Sequence, residues 1–260
     1  MKVAERALTC LMVHPKLRGL LIKGPSGTGK SSFVHAFSQS YTGKRAKVIP
    51  QNITDEQLFG TINLERMLET GEAEFEPGIL RDDDSVLLVD DINLLPKNTS
   101  LTLMESVHRG KVHVEREGVS ETFHCSAKVV ATANDREQPL SSSLSDLFDM
   151  CVIIRRNPDL QKRIDIMRIA NDDDGDENVL DEDLRKRIDS ARSIVEMVTL
   201  DDDILKAIVD ASDRFGMRGH RGELSTARVC MASAALDGRK NVNEDDLSFA
   251  LSVCVPHRRT

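Results

Sequence analysis

Tryptophan is absent from this 260-residue chain, tyrosine occurs once, and aromatic residues make up only 3% of it. So few flat rings leave no platforms on which unpaired bases stack. Charge points the same way: 35 lysines and arginines face 43 aspartates and glutamates, a formal net charge of −8. Such a surface does not neutralise phosphate backbones, so no nucleic-acid partner is expected. No apolar run approaches the ~20 residues of a membrane-spanning helix, so no membrane partner is expected either. The opening stretch, MKVAERALTCLMVHPK, has no long apolar segment and no small-residue cleavage site, and does not read as a secretory leader. The five cysteines (Cys10, Cys125, Cys151, Cys230 and Cys254) are odd in number and form no CxxC pair. That argues against a disulfide framework and against a zinc site, and makes a reducing cytoplasm the expected setting.

What is present is organised in two parts. Through residue 158, short apolar runs alternate with helical patterns. Strands are predicted at 20–24, 46–50, 85–90, 127–134 and 151–155, with helices at 30–40, 55–69 and 98–109. Runs such as VLLV and VVATA are continuous rather than alternating, as expected when both faces of a parallel sheet are covered. The predicted fold class is therefore an α/β sandwich over 1–158. From 159 to 260 the pattern turns helical, with amphipathic segments at 159–170, 181–196, 201–215, 221–237 and 243–254, and with Asp159, Thr199 and Asn243 as plausible caps. This second part reads as a helical subdomain. The acidic clusters at 81–85, 171–177 and 200–203 read as solvated loops and helix starts. The one at 171–177 lacks the spaced ligands and final Glu of a calcium loop.

Between the first strand and the first helix after it stands GPSGTGKS, a full match to G-x-x-x-x-G-K-[ST]. A strand before and a helix after are what separate a working phosphate loop from a chance match. Gly24, Gly27 and Gly29 let the backbone curl so that its amides face phosphate oxygens, and the helix start adds partial positive charge. With Pro25, Ser26, Thr28 and Ser32 they form the expected cradle for ATP. Lys30 is placed to reach the β and γ phosphates and Ser31 to ligate Mg²⁺. A second motif, VLLVDDINLL, ends a buried strand in two acids at the mouth of the sheet, where ligands bind. Asp90 is the expected Mg²⁺ acid and Asp91 the water-polarising carboxylate. A third strand, VVATAN, ends in Asn134. Such an Asn is often an ordinary turn residue, but in this company it is a candidate to orient the attacking water. His113 and His124 lie close together in sequence, but no third ligand at metal-binding spacing accompanies them.

In this order, the phosphate loop, Asp-Asp strand, Asn-tipped strand and helical lid resemble an AAA+ ATPase: a P-loop sandwich with a parallel sheet, followed by a C-terminal helical lid. Three stretches narrow the likeness: TDEQLFGTINLERMLETGEAEFEPGIL (54–80), LLVDDINLL, and GKVHVEREGVSETFHCSAKVVATAN (110–134). They resemble the magnesium chelatase family, whose patterns include LxGTLDxERAL, LYVDEVNLL and VVEREGxSxxHPAxFxLxxTxN. The C-terminal MRGHRGELSTARVCMASAALDGRK…VPHRR resembles that family's lid and its closing His-Arg-Arg. The resemblance implies ring-forming subunits, in homo- or hetero-hexamers, that use ATP to drive metal insertion into a porphyrin by a separate large subunit. It also implies a partner subunit carrying an integrin-like domain. Arg221 matches the lid arginine that meets the γ-phosphate, and Arg163 an arginine at the subunit boundary.

Three departures stand against that pattern. The family's Asp-Glu is Asp90-Asp91 here. The family's LRPQLLDRFGL is PLSSSLSDLFDM, so Leu147 occupies the place of the arginine finger and Ser141 that of an earlier arginine. The family's VGQ segment, which helps hold adenine, has no counterpart. These departures make the chain resemble the degenerate amino-terminal AAA+ module of the D-type subunit, binding ATP with little hydrolysis of its own. Two alternatives stand beside it. One is a competent motor in which Arg136, Arg155 or Arg156 replaces the finger. The other is a MoxR-like regulatory AAA+ protein that remodels a metalloenzyme.

Overall fold

A computed structural model of the chain describes residues 2–63, 66, 68–69, 74–81, 86–116, 119–161, 163–164, 180–217 and 219–259. Its strands are β1 Gly19–Lys23, β2 Lys47–Ile49, β3 Gly60–Ile62, β4 Phe75–Pro77, β5 Val86–Val89, β6 Lys111–Arg116, β7 Val119–His124, β8 Lys128–Ala133 and β9 Met150–Ile153. Its α-helices are α1 Lys2–Val13, α2 Lys30–Thr42, α3 Asp55–Phe59, α4 Lys97–Arg109, α5 Ser142–Asp146, α6 Glu182–Ile194, α7 Asp202–Phe215, α8 Arg221–Leu236 and α9 Glu244–Cys254.

The five apolar runs form one parallel sheet in the order β2-β5-β8-β1-β9. Alternate residues feed two separate cores. Leu20, Ile22, Val86, Leu88, Val130, Met150 and Val152 face α1, α2 and the C-terminal helices. Leu21, Leu87, Val89, Val129, Ala131 and Cys151 face the layer built from α3, α4 and β6. Burial on both faces is why these strands read as unbroken apolar runs. All five cysteines lie in these interiors as free thiols.

The C-terminal helices share the first of these cores with α1 and α2. The closing His-Arg-Arg helps clamp them there. Arg258 is 6% exposed. Its guanidinium donates to the carbonyls of Phe148 (2.5 Å), Asp149 (3.0 Å) and Cys254 (2.9 Å) and to Asp146 Oδ1 (3.2 Å). Asp149 is wholly buried and accepts from the Arg18 and Gly19 amides at 2.7 and 3.1 Å and from Ser225 Oγ at 2.8 Å. One carboxylate thereby ties the start of β1 to α8.

The structure corrects several sequence expectations. The helix expected over 55–69 is broken after Phe59, where the chain continues as β3, antiparallel to β4; Arg66, Leu68 and Glu69 beyond it are again helical. Gly60 is the reason for the break: its φ is 116°, and a Cβ there would lie 2.4 Å from the Phe75 ring and 2.6 Å from the Glu76 carbonyl. Thr199 does not cap a helix but pairs with Asn241; the cap of α7 is Asp201, whose side chain accepts from Ile204 N at 2.8 Å. Helix α1 was not anticipated. Most of the helix expected at 159–170, and the acidic stretch 171–177, lie outside the described residues.

Candidate functional site

Sheet order fixes where a ligand can sit. β1 lies between β8 and β9, while the chain leaving it returns to the far edge as β2. Diverging connections open a crevice at the carboxyl ends of the strands, and the sequence GPSGTGKS occupies it. Gly27 and Gly29 have φ of 74° and 76°, in the left-handed region that glycine reaches without strain. A Cβ at either would meet nothing within 4 Å, so open space lies before the curl of the loop. Gly24 is required for the opposite reason: a Cβ there would lie 2.3 Å from the Ile154 carbonyl of the chain leaving β9.

Lys30 opens α2 and is 6% exposed. Its ammonium donates to the carbonyls of Gly24 (2.9 Å) and Pro25 (3.1 Å), so the charge lies across the loop. The β5–β8 register pairs Val89 with Ala131 and so brings Asp90 beside Thr132. Ser31 Oγ donates to Asp90 Oδ1 at 2.6 Å, and Thr132 Oγ1 donates to the same oxygen at 2.5 Å. Asp91 follows with φ 50° and ψ 60°, and its amide donates to Thr132 Oγ1 at 2.9 Å. Burial first, and the Asp90 charge second, push the Asp91 carboxyl above its ordinary value, while Lys30 pulls it down.

Asn134 also lies here, buried at the end of β8. Its Nδ2 donates to Ser26 Oγ at 3.1 Å and to Glu137 Oε1 at 2.6 Å. Beside the loop is a cleft of about 700 Å³ whose walls include Asn134, Arg136, Ile153, Arg155 and Arg156. The three arginines are exposed and their side chains have no partner among the described residues.

Lys30, Ser31, Asp90, Asp91 and Asn134 are thus brought together with the loop glycines, Ser26 and Thr28. Ser32 is exposed on the first turn of α2. Arg221 is elsewhere. Its Nη1 donates to Asp146 Oδ2 at 2.6 Å, within the Asp146–Asp149–Arg258 cluster where β1 and β9 begin. The phosphate loop starts where β1 ends, and five residues of strand separate the two edges, roughly 16 Å at about 3.3 Å per residue. Arg163 is half-buried beyond Asp159, outside the site's hydrogen-bond network. Leu147 is 5% exposed and packs in the sheet's second core, and Ser141 caps α5 by accepting from Leu144 N at 3.3 Å. On β6, which pairs antiparallel with β7, His113 is bonded to Thr122 and Glu115, and no group of three metal-ligating side chains occurs among the described residues.

Sequence reading missed two members of the site, Thr132 and Glu137. Thr132 had a signal: a lone hydroxyl in the otherwise apolar run VVATA needs a buried partner. Glu137 stands in a polar loop, where nothing in the sequence distinguishes it.

A glycine-curled loop at a helix head, a lysine across it and a Ser–Asp pair beneath define a P-loop nucleotide-binding module. The donor set fits a magnesium nucleotide, with hard oxygen ligands from Ser31 and Asp90 and free space in front of the loop. The comparisons carry the assignment further. Residues 19–149 match the AAA domain of the dynein-related subfamily and residues 205–260 an AAA lid domain, so the chain belongs to the AAA family. It is 32% identical to an uncharacterised protein of Mycobacterium tuberculosis, over 97% of this chain and 42% of that protein. It is 30% identical to the magnesium-chelatase 67 kDa subunit of Chlorobaculum tepidum, over 100% of this chain and 43% of that subunit. It is 28% identical to the 38 kDa subunit of the same organism, over 95% of this chain and 75% of the subunit. The chain therefore spans less than half of the first two relatives. No helix among the described residues is long and apolar enough to cross a membrane.

Proposed function

We propose that this chain is the ATP-binding AAA module of a magnesium-chelatase-type assembly. In this reading it joins a ring of AAA subunits, and the ring drives metal insertion into a tetrapyrrole on a separate large subunit. An integrin-like-domain subunit completes the assembly. The likeness to the two chelatase subunits, over nearly the whole of this chain, supports this assignment.

The site residues divide the work in a definite way. The loop amides and Lys30 hold the triphosphate. Ser31 and Asp90 would hold Mg²⁺, which when bound neutralises charge building up between the phosphates. Thr132 fixes Asp90 from behind and fixes the Asp91 backbone as well. Asp91 is the carboxylate assigned here to take a proton from an attacking water, and Asn134 is the amide that would orient that water. Arg221 lies too far from its own loop to touch the nucleotide held there, so any phosphate contact it makes in this arrangement is with an adjoining protomer.

On its own, where its only neighbours are copies of itself, the module binds ATP more readily than it hydrolyses it. The observation that carries this is Leu147. The position that holds the resembled family's reaching guanidinium is here a buried leucine in the sheet core, so the neighbouring site receives no charge from it. A finger of this kind supplies on the order of 10³–10⁵ in rate. The test is phosphate release by the isolated chain and by the chain mixed with a competent chelatase ATPase subunit. Slow release alone, with a measurable change on mixing, is expected. Brisk turnover by the isolated chain, lost on Arg155→Ala or Arg156→Ala, would replace this reading with that of a self-sufficient motor.

A further inference from the structure

We propose that Glu137 is a positioning residue that withholds the Asn134 amide and the Ser26 hydroxyl from the nucleotide until a γ-phosphate displaces it, so that the loop distinguishes a nucleoside triphosphate from a diphosphate. This rests on the reading of the loop as a nucleotide site.

The geometry is a closed triangle. Glu137 Oε1 accepts from Asn134 Nδ2 at 2.6 Å and from Ser26 Oγ at 2.9 Å, and Asn134 Nδ2 also donates to Ser26 Oγ at 3.1 Å. The other end of the Asn134 amide is taken too, since Oδ1 accepts from Arg136 N at 3.3 Å. A primary amide has two N–H donors and a serine hydroxyl has one. The Glu137 carboxylate takes the Ser26 proton and, at the shorter of the two Asn134 distances, one amide N–H, so it holds both side chains although Ser26 and Glu137 themselves are exposed. Asn134 is also buried, so its amide has no easy alternative partner in water.

The triangle sits at the γ end of the loop. Ser26 follows Pro25, whose carbonyl accepts from the Lys30 ammonium, and that lysine is the side chain that reaches the β and γ phosphates. A γ-phosphate arriving there is a second anion competing for the same two donors. Charge-assisted hydrogen bonds to phosphate match those to a carboxylate, and like charges at close range repel. Asn134 and Ser26 then change acceptor and Glu137 moves away. A diphosphate brings no such competitor and leaves the triangle closed.

Calorimetric titration with Mg·ADP and with a non-hydrolysable Mg·ATP analogue tests this in wild type, Glu137→Gln, Asn134→Ala and the double variant. Glutamine keeps the length and the accepting oxygen but removes the charge. Glu137→Gln is expected to tighten the triphosphate about tenfold while leaving the diphosphate within about twofold; that unchanged diphosphate affinity also serves as the control for folding. In the Asn134→Ala background the same substitution is expected to gain less than about threefold. An equal shift for both nucleotides would overturn the proposal, because it would mark a diffuse charge effect. So would a full tenfold gain in the absence of the Asn134 amide. Failure of wild type to bind either nucleotide would bring down the nucleotide-site reading itself, whereas binding with an unmoved ratio removes only the role of Glu137.

Discussion

Lengthening Asp91 to glutamate should speed hydrolysis while weakening the fold, and both effects follow from its backbone. The Asp91 amide is tied to Thr132 Oγ1 at 2.9 Å, and φ 50°, ψ 60° hold the residue in the left-handed region. A backbone pinned in this way cannot slide to deliver a short side chain, so reach depends on the side chain alone. Glutamate adds one methylene, roughly 1.3–1.5 Å, and a misplacement of about 1 Å can cost on the order of 10²-fold in rate. That corresponds to about 2.7 kcal/mol of barrier. The opposing cost is conformational. Aspartate tolerates the left-handed region through its short polar side chain, and most other L-residues pay about 1–2 kcal/mol there. For a chain of this size that is a fall in Tm of roughly 2–8 °C. The assay is single-turnover phosphate release with protein in excess over Mg·ATP, with Tm measured in parallel. For Asp91→Glu the expected result is release faster by about 10- to 100-fold, a lower Tm and an unchanged affinity for a non-hydrolysable analogue. The rate stays well below that of a complete ring, because the missing finger is a separate loss. Unchanged or slower release with nucleotide still bound would refute the reach argument.

The remaining predictions concern charge and the lid. Because burial and Asp90 raise the Asp91 carboxyl, the native state binds more protons than the unfolded chain between the ordinary carboxylate value, about 3.9, and the raised one, so stability falls as pH rises through that window. Asp91→Asn should therefore raise Tm at pH 7.5, and the gain should vanish below about pH 4, as melting curves at the two pH values would reveal. Arg258→Ala takes a guanidinium donor from the buried Asp149 and Cys254 carbonyls, leaves the Phe148 carbonyl with His257 Nε2, and takes from Asp146 one of its two cations. It should cost about 3 kcal/mol or more, a drop in Tm of roughly 6 °C or more, measurable by calorimetric melting. Arg221→Ala should leave the isolated chain's nucleotide affinity within about twofold, since its partner is Asp146 at the opposite edge of the sheet. A large loss of affinity would mean that the lid swings over its own loop.

The elements legible in the sequence were those whose signal is local. The strands around VLLV and VVATA announced themselves because both faces are buried, and their ends came within a residue or two of the observed ones. The phosphate loop and the Asp90–Asp91 pair were legible because their backbone and charge demands restrict the residue types allowed. Gly60 was harder to read: its neighbours follow a helical pattern, and the reason the helix stops is a strand that arrives fifteen residues later, a contact that no local pattern encodes. The same holds for Arg258, which looks like a solvated tail residue until the carbonyls of Phe148, Asp149 and Cys254 close around it. The position of Arg221 depends on how the C-terminal helices dock on the α1 face, and spacing along the chain carries no record of that. Thr132 and Glu137 joined the site through sheet register and loop closure.

Titration calorimetry of the chain with Mg·ATP, alongside Lys30→Ala, tests the central claim most directly. Saturable heat from wild type that is lost in a folded Lys30→Ala variant is the predicted result. Absence of heat from wild type, or binding that survives removal of the ammonium lying across the loop, would contradict it.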